Sequence, residues 1–169
     1  MFSNCQKLES LPDISNWKTN KIEDMSNIFN NCLSLKSLSN ISKWKTNNVK
    51  YMENMFLSCE SLLYLPDISI WDTSNVQNME CMFKKCSKLQ YIPDISKWNT
   101  KNLKHMSDIF TNCSSLISKP NISNWNNNKI APEEREEEEL QYLNNHFEET
   151  EEQERKFMRT MCDNLVDSF

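Results

Sequence analysis

The seven cysteines of this 169-residue sequence are its most evident candidates for chemical reactivity or metal binding. Cys81 and Cys162 are isolated, whereas the other five recur every 27 residues, at Cys5, Cys32, Cys59, Cys86 and Cys113. A zinc site needs close pairs such as Cys-x-x-Cys, and the closest pair here, Cys81 and Cys86, has no second pair beside it. We therefore predict free buried thiols and no metal site, with some oxidation or metal binding as the lesser alternatives.

No pattern of residues indicates acid–base or nucleophilic catalysis. The two histidines, His105 and His146, do not accompany a nucleophile in a recognisable arrangement. The sequence contains no Gly, which removes the phosphate-cradling loops that depend on it. We predict that the protein is not an enzyme, that it has no catalytic residue and that it uses no cofactor.

A repeated aspartate could bind calcium, but its column also accepts asparagine. The column holds Asp13, Asn40, Asp67, Asp94 and Asn121, and a Ser follows two residues later in every copy. An amide keeps the hydrogen bonding of a carboxylate and loses its charge, so we predict that these residues cap turns and that the serines cap backbone groups. The 23 asparagines are likewise expected at turns that Gly usually occupies.

A 27-residue repeat governs the sequence, and it predicts where the core lies. Its consensus is [Met/Ile]-Phe-x-x-Cys-x-x-Leu-x-x-Leu-Pro-Asp-Ile-Ser-x-Trp-x-Thr-x-x-[Val/Ile/Leu]-x-x-Met. The Phe, Leu, Ile, Met and Trp columns are predicted to be buried by stacking of successive copies. An exposed aromatic binding strip is the alternative for the Trp column, which runs through Trp17, Trp44, Trp71, Trp98 and Trp125.

Spacing within the unit predicts a short helix and a short strand. Apolar residues recur at steps of three and four, as on one face of a helix, at Val49, Met52, Met55, Phe56 and Cys59. Thr46 lies upstream, where its hydroxyl could cap the first turn. Leu62, Leu65 and Ile68 follow every three residues, and Pro66 confines any strand to one side of it.

These elements predict an α/β repeat solenoid. Each rung would hold one short helix and one short parallel strand, as in leucine-rich repeats, and residues 131–169 would form an α-helical C-terminal tail. The five repeats are residues 1–27, 28–54, 55–81, 82–108 and 109–130. Residues 1–130 carry a net charge of +4 and residues 131–169 carry −9, which supports a boundary near residue 130. A charge of +4 is too weak to indicate nucleic-acid binding.

The repeat resembles the BspA-like leucine-rich repeat family, in particular its mycoplasma-lipoprotein-associated type. The resemblance covers residues 1–130 and rests on Met55-Phe56-x-x-Cys59-x-x-Leu62-x-x-Leu65-Pro66-Asp67-Ile68-Ser69-x-Trp71 and the Thr73, Val76 and Met79 that follow it. It implies a right-handed solenoid with a role in adhesion or protein binding, typical of bacterial and protist surface proteins. The Gly common before the Cys in that family is here Asn31, Ser58, Lys85 and Asn112.

The acidic segment 131–169 is predicted to cap the last rung or to bind a partner. Pro132 and the glutamates after it suit a helix start. Two apolar edges follow, and they comprise Leu140, Leu143, Phe147, Phe157, Met158, Met161 and Leu165. Self-association through this segment, or through the first rung, which begins inside the unit without a cap, is also predicted.

The variable positions of the helix segment are the candidate partner surface. They comprise Lys50, Tyr51, Glu53, Asn54, Gln77, Asn78, Lys104 and His105. We predict a non-catalytic protein–protein interaction scaffold, with a BspA-like surface adhesion protein, or a fragment of one, as the alternative. No apolar stretch has the length of a membrane span, and no signal peptide is recognisable. A cytoplasmic location is therefore expected, or the cell surface if the chain is an N-terminally truncated fragment.

Overall fold

Each repeat lies on the next one in parallel register in the computed structural model, which describes residues 1–125. The backbone N–H of Met25 donates to the carbonyl of Tyr51 at 2.8 Å, and the N–H of Met52 donates to Asn78 at 2.9 Å. The same bond joins Met79 to His105 at 2.9 Å. Each of these donors reaches an acceptor 26 residues later, so the 27-residue period of the sequence is also the period of the fold.

The predicted α/β solenoid of short helices and parallel strands is wrong. Between residues 1 and 125 the only regular helix is the 3₁₀ helix Ile41–Lys43, which is capped by the side chain of Asn40. Strands are replaced by four isolated parallel bridges, which are Asp24–Tyr51, Tyr51–Asn78, Asn78–His105 and Tyr64–Tyr91. The described repeats are built from turns. The predicted α-helical tail, residues 131–169, lies outside the described residues.

The predicted helix around Met52–Cys59 fails because its backbone turns left-handed twice. Asn54 has φ of 55° and Ser58 has φ of 58°, and an α-helix cannot pass through such residues. Their N–H groups donate to the next repeat, to the carbonyls of Glu80 and Lys84, instead of bonding four residues back. Thr46 is not a helix cap either, because its hydroxyl donates to the carbonyl of Asp72 at 3.0 Å.

Left-handed residues recur at two positions in each repeat. One series contains Asn4, Asn31, Ser58, Lys85 and Asn112, and the other contains Asn27, Asn54, Cys81 and Asp108. Asparagine holds five of these positions, as predicted for turns without Gly. The first series occupies the position immediately before the repeated Cys. None of its members is Gly, so each of them adopts the left-handed conformation with a Cβ present.

The core consists of like residues stacked on like residues. Phe29, Phe56 and Phe83 are fully buried, and their ring centroids lie 5.4 Å and 5.5 Å apart in consecutive repeats. Trp44 and Trp71 are buried and stack at 6.4 Å with an interplanar angle of 2°. The predicted core is therefore confirmed for these Phe and Trp columns, although turns and not helices deliver the side chains to it.

Candidate functional site

The repeated thiols act as donors between repeats. The Sγ of Cys59 donates to the carbonyl of Phe29 at 3.1 Å, and Cys86 donates to Phe56 at the same distance. Burial raises the pKa of Cys32 to about 11, and it also raises the pKa of Cys59 and Cys86. These cysteines are free and buried, as predicted, whereas Cys5 is exposed. No cluster of His, Cys, Asp or Glu among residues 1–125 could hold a metal ion.

The repeated tryptophans also bond to the repeat before them. The indole Nε1 of Trp44 donates to the carbonyl of Ile14 at 3.0 Å, and the same bond links Trp98 to Ile68 at 3.2 Å. Because Trp44, Trp71 and Trp98 are buried and their indole N–H groups are satisfied, these three tryptophans belong to the core. The alternative of an exposed aromatic strip is therefore excluded for Trp44, Trp71 and Trp98.

The repeated Asp and Asn close turns on the Ser two residues later. Asp67 Oδ1 accepts from the Ser69 N–H at 3.1 Å and from the Ser69 hydroxyl at 2.6 Å. Asn40 Oδ1 accepts from the N–H of Ser42 at 3.0 Å, so the side-chain amide performs the same role as the carboxylate. The prediction of turn capping is confirmed. Hydrogen bonds from the Ser96 hydroxyl and N–H lower the pKa of Asp94.

The fold places six of the eight candidate partner positions in two adjacent columns, and Glu53 and Asn54 lie outside them. Asp24, Tyr51, Asn78 and His105 form a continuous series of parallel bridges. In the column before them, the N–H groups of Lys50, Gln77 and Lys104 donate to the carbonyl one repeat earlier at 2.7, 2.8 and 2.8 Å. Residues of one column in consecutive repeats are therefore neighbours in the fold.

Some of these candidates are buried and others are accessible to solvent. Glu53 is 3% exposed and Asn78 is 1% exposed, so neither offers a side chain to a partner. Asn54 is half-buried at a left-handed position. Five candidates keep accessible area, namely Lys50, Tyr51, Gln77, Lys104 and His105. The predicted residues Leu140, Leu143, Phe147, Phe157, Met158, Met161 and Leu165 lie outside the described residues.

Charge along these two columns changes from repeat to repeat. Lys50 Nζ lies 2.8 Å from Glu23 Oε2 in an exposed ion pair, and the hydrogen bond to Glu23 raises the pKa of Lys50. Gln77 replaces the charge in the next repeat, and Lys104 restores a positive charge in the one after. Positions of the same backbone geometry thus present an acid, a base and an amide.

A second exposed row, which the repeat pattern did not predict, lies in repeats three to five. Tyr64 and Tyr91 are 54% and 57% exposed and are paired by a parallel bridge, and Ile117 in the following repeat is 66% exposed. A signal was present in the sequence. The tyrosines occupy a column that is Ser in the other three repeats, at Ser10, Ser37 and Ser118, so the core does not require an aromatic ring there.

No helix within residues 1–125 has the length and hydrophobicity needed to cross a membrane. No curated protein and no solved structure shows significant similarity to the chain. Residues 1–91 and residues 65–167 each match the family described as "Mycoplasma protein of unknown function, DUF285". The two matches overlap and together span nearly the whole sequence. The chain therefore belongs to the DUF285 family.

Proposed function

We propose that this protein is a non-catalytic scaffold for protein–protein interaction. The single observation that carries the proposal is the bridge series through Asp24, Tyr51, Asn78 and His105, in which one backbone geometry carries four different side chains and leaves all but Asn78 accessible. A constant frame with variable side chains lets a repeat protein fit a partner without changing its core.

The use of the reactive groups supports a role without catalysis. The Cys thiols donate to Phe carbonyls, the Trp indoles donate to Ile carbonyls and the Asp carboxylates accept from Ser N–H groups. These repeated groups hold one repeat on another or close its turns, and they do not converge on a common site. Repeated polar groups that are used in this way, without converging on one site, suit a binding role better than a catalytic one.

The accessible candidates favour a protein partner of mixed charge. Lys50 is already partly neutralised by Glu23, and Lys104 is separated from it by the uncharged Gln77. A nucleic acid requires a continuous basic face, which these columns do not provide. Tyr51 and His105 add ring surface beside the two lysines, and such residues contribute strongly to protein interfaces.

A capture experiment with matched variants tests the proposal. The triple variant Lys50→Gln, Tyr51→Asn, Lys104→Gln uses only residues that the same columns already contain, at Gln77 and Asn78. Lys45→Asn, on another part of the repeat, is the control and copies Asn99. Captured proteins are compared by quantitative mass spectrometry from the cells in which the protein is made. A protein held by the wild type and by the control, and depleted at least tenfold by the triple variant, supports the scaffold. Identical capture by all three proteins rejects this surface.

A second candidate is a surface adhesion protein of the BspA-like type. It is favoured by the match to the DUF285 family and by the Pro-Asp-Ile-Ser-x-Trp run through which the repeat resembles BspA-like surface proteins. Labelling of intact cells with a membrane-impermeant reagent, followed by recovery of this protein, decides between the two. Labelling only after lysis would exclude the adhesion role.

A further inference from the structure

Four apolar side chains occupy an outward-facing part of repeats three to five. Leu63 is half-buried, and Tyr64, Tyr91 and Ile117 are all more than half exposed. Backbone bonds join their segments in consecutive repeats, from the N–H of Gln90 to Leu63 at 3.0 Å and from Ile117 to Gln90 at 3.2 Å. We call these four residues the tyrosine face.

The fold does not require this face to be apolar. Ser10, Ser37 and Ser118 fill the column of the two tyrosines, and Glu9, Lys36 and Gln90 share the column of Leu63 and Ile117. In the first two repeats that second column carries an exposed ion pair, with Lys36 Nζ 2.7 Å from Glu9 Oε2. The same backbone therefore accepts charged and uncharged polar side chains at these positions as well as apolar ones. Contiguous exposed apolar groups of this kind mark contact surfaces.

We propose that the tyrosine face is the contact between two copies of this chain. The column reads Ser37, Tyr64, Tyr91, Ser118, and it is the same in both directions about the boundary between repeats three and four. A two-fold axis at that boundary, along the local chain direction, places Tyr64 of one copy against Tyr91 of the other. Such an isologous contact requires a surface that is complementary to itself.

The charges beside the tyrosine face agree with this axis. Glu60 and Lys88 are exposed and precede Tyr64 and Tyr91 by four and three residues, in repeats three and four. Neither is in an ion pair within residues 1–125. The same axis sets Glu60 of each copy against the segment that holds Lys88 of the other, so the two opposite charges meet twice across the contact.

This contact is separate from the partner surface proposed above, and either can fail without the other. Sedimentation velocity of the full chain over a wide concentration range measures it directly. We expect a reversible dimer. Tyr64→Ser with Tyr91→Ser should raise its dissociation constant at least tenfold and leave folding intact, because Ser already occupies this column three times. The Tyr51→Asn variant, which alters only the partner surface, should dimerise like the wild type.

Charge reversal supplies a test that does not depend on removing the rings. Glu60→Lys and Lys88→Glu should each weaken the dimer several-fold, and the double variant should recover most of the loss. A chain that is monomeric at all concentrations overturns the proposal. A dimer whose dissociation constant is unchanged by the Tyr→Ser substitutions also overturns it. Binding of a different protein to the tyrosine face, in place of a second copy, would overturn it too.

Discussion

The indole Nε1 of Trp71 donates a 3.1 Å hydrogen bond to the backbone carbonyl of Ile41, thirty residues earlier in the chain. The carbonyl of Ile41 also accepts from the N–H of Trp44 at 3.1 Å, so one oxygen closes the turn of its own repeat and binds the next repeat. A buried indole N–H without an acceptor would oppose folding. Trp44, Trp71 and Trp98, which all make this bond, therefore fix both the spacing and the register of the repeats on which they stack.

Replacing Trp71 by Phe should lower the free energy of unfolding by about 2–3 kcal/mol. About 1–1.5 kcal/mol of this is the lost hydrogen bond, and the remainder is the lost volume of the larger ring. Equilibrium unfolding in urea measures the change. Trp17→Phe is the control, since Trp17 stacks on Trp44 but is 38% exposed and makes no corresponding bond within residues 1–125. Equal losses in the two variants would show that the bond contributes nothing.

The thiols should differ sharply in their reactivity. Burial raises the pKa of Cys32 to about 11, so at pH 8 only about one Cys32 thiol in a thousand is ionised and able to react. Alkylation of the native protein at this pH should modify the exposed Cys5 within minutes and leave Cys32, Cys59 and Cys86 unmodified. Site-resolved mass spectrometry reads the outcome, and denaturant should release all of these sites together. Labelling of Cys59 at the rate of Cys5 in the native protein would contradict the buried column.

Glycine should stabilise the protein at a left-handed position. Lys85 has φ of 62°, which costs a residue with a Cβ about 1–2 kcal/mol. Lys85→Gly should therefore raise the free energy of unfolding by about 0.5–1 kcal/mol after the entropy of Gly in the unfolded chain is included. Lys104→Gly is the matched control, since both N–H groups donate at 2.8 Å to a neighbouring repeat but Lys104 is not left-handed. The control should lose stability, and a loss in both variants would contradict the role of the backbone angle.

Acid should weaken the fold through the aspartate turns. Hydrogen bonds from Ser96 lower the pKa of Asp94 in the folded protein. The ionised carboxylate therefore stabilises the fold above the pKa that Asp has in the unfolded chain, about 3.9. That contribution is lost as the pH falls through the lower, folded value. Asp94→Asn keeps an acceptor, as Asn40 does, but cannot titrate, so its unfolding free energy should fall less steeply below about pH 4.

Urea unfolding at a series of acidic pH values measures that slope. Asp94→Ala, which removes the acceptor at every pH, is the companion variant and should be less stable than Asp94→Asn throughout. A difference between the wild type and Asp94→Asn that stays constant from neutral pH to acid would refute the linkage.

The period and the core were readable from the sequence because they depend on which residues recur. Phe56, Cys59, Leu62 and Ile68 were predicted to be buried, and they are fully buried. The spacing of Met52, Met55 and Phe56 also described one buried face correctly. It could not distinguish an α-helix from a series of tight turns, since both bring every third or fourth residue to the same side.

What decides between helix and turns is the destination of the backbone N–H groups. Phe56 donates to Met82 and Ser58 donates to Lys84, both in the following repeat. The apolar spacing within one repeat predicts backbone hydrogen bonds inside that repeat, as in a helix, and carries no sign of bonds to the next repeat. The left-handed residue before each repeated Cys was the available clue, and a Lys at that position, Lys85, obscured it because Lys has no preference for such angles.

The accessible positions of the candidate surface could be predicted only in part, because variation among repeats does not report burial. Variation among copies selected Lys50, Tyr51 and His105, whose side chains are accessible, but variation also marks buried positions whose neighbours differ. Glu53 and Asn78 vary among repeats and are nonetheless buried. The tyrosine face was missed because its columns hold different residue types in different repeats and so show no recurring apolar residue. Its significance comes from exposure, which the sequence does not report.

The bond between Trp71 and Ile41 also makes the fold sensitive to chain length. Insertion or deletion of 27 residues would return donors such as the Trp71 indole and the Cys59 thiol to an Ile and a Phe carbonyl. A change of one or two residues within a repeat would set each donor against the wrong neighbour for the rest of the described stack. Gain or loss of whole units is therefore compatible with the stack, whereas short insertions within a unit are disfavoured.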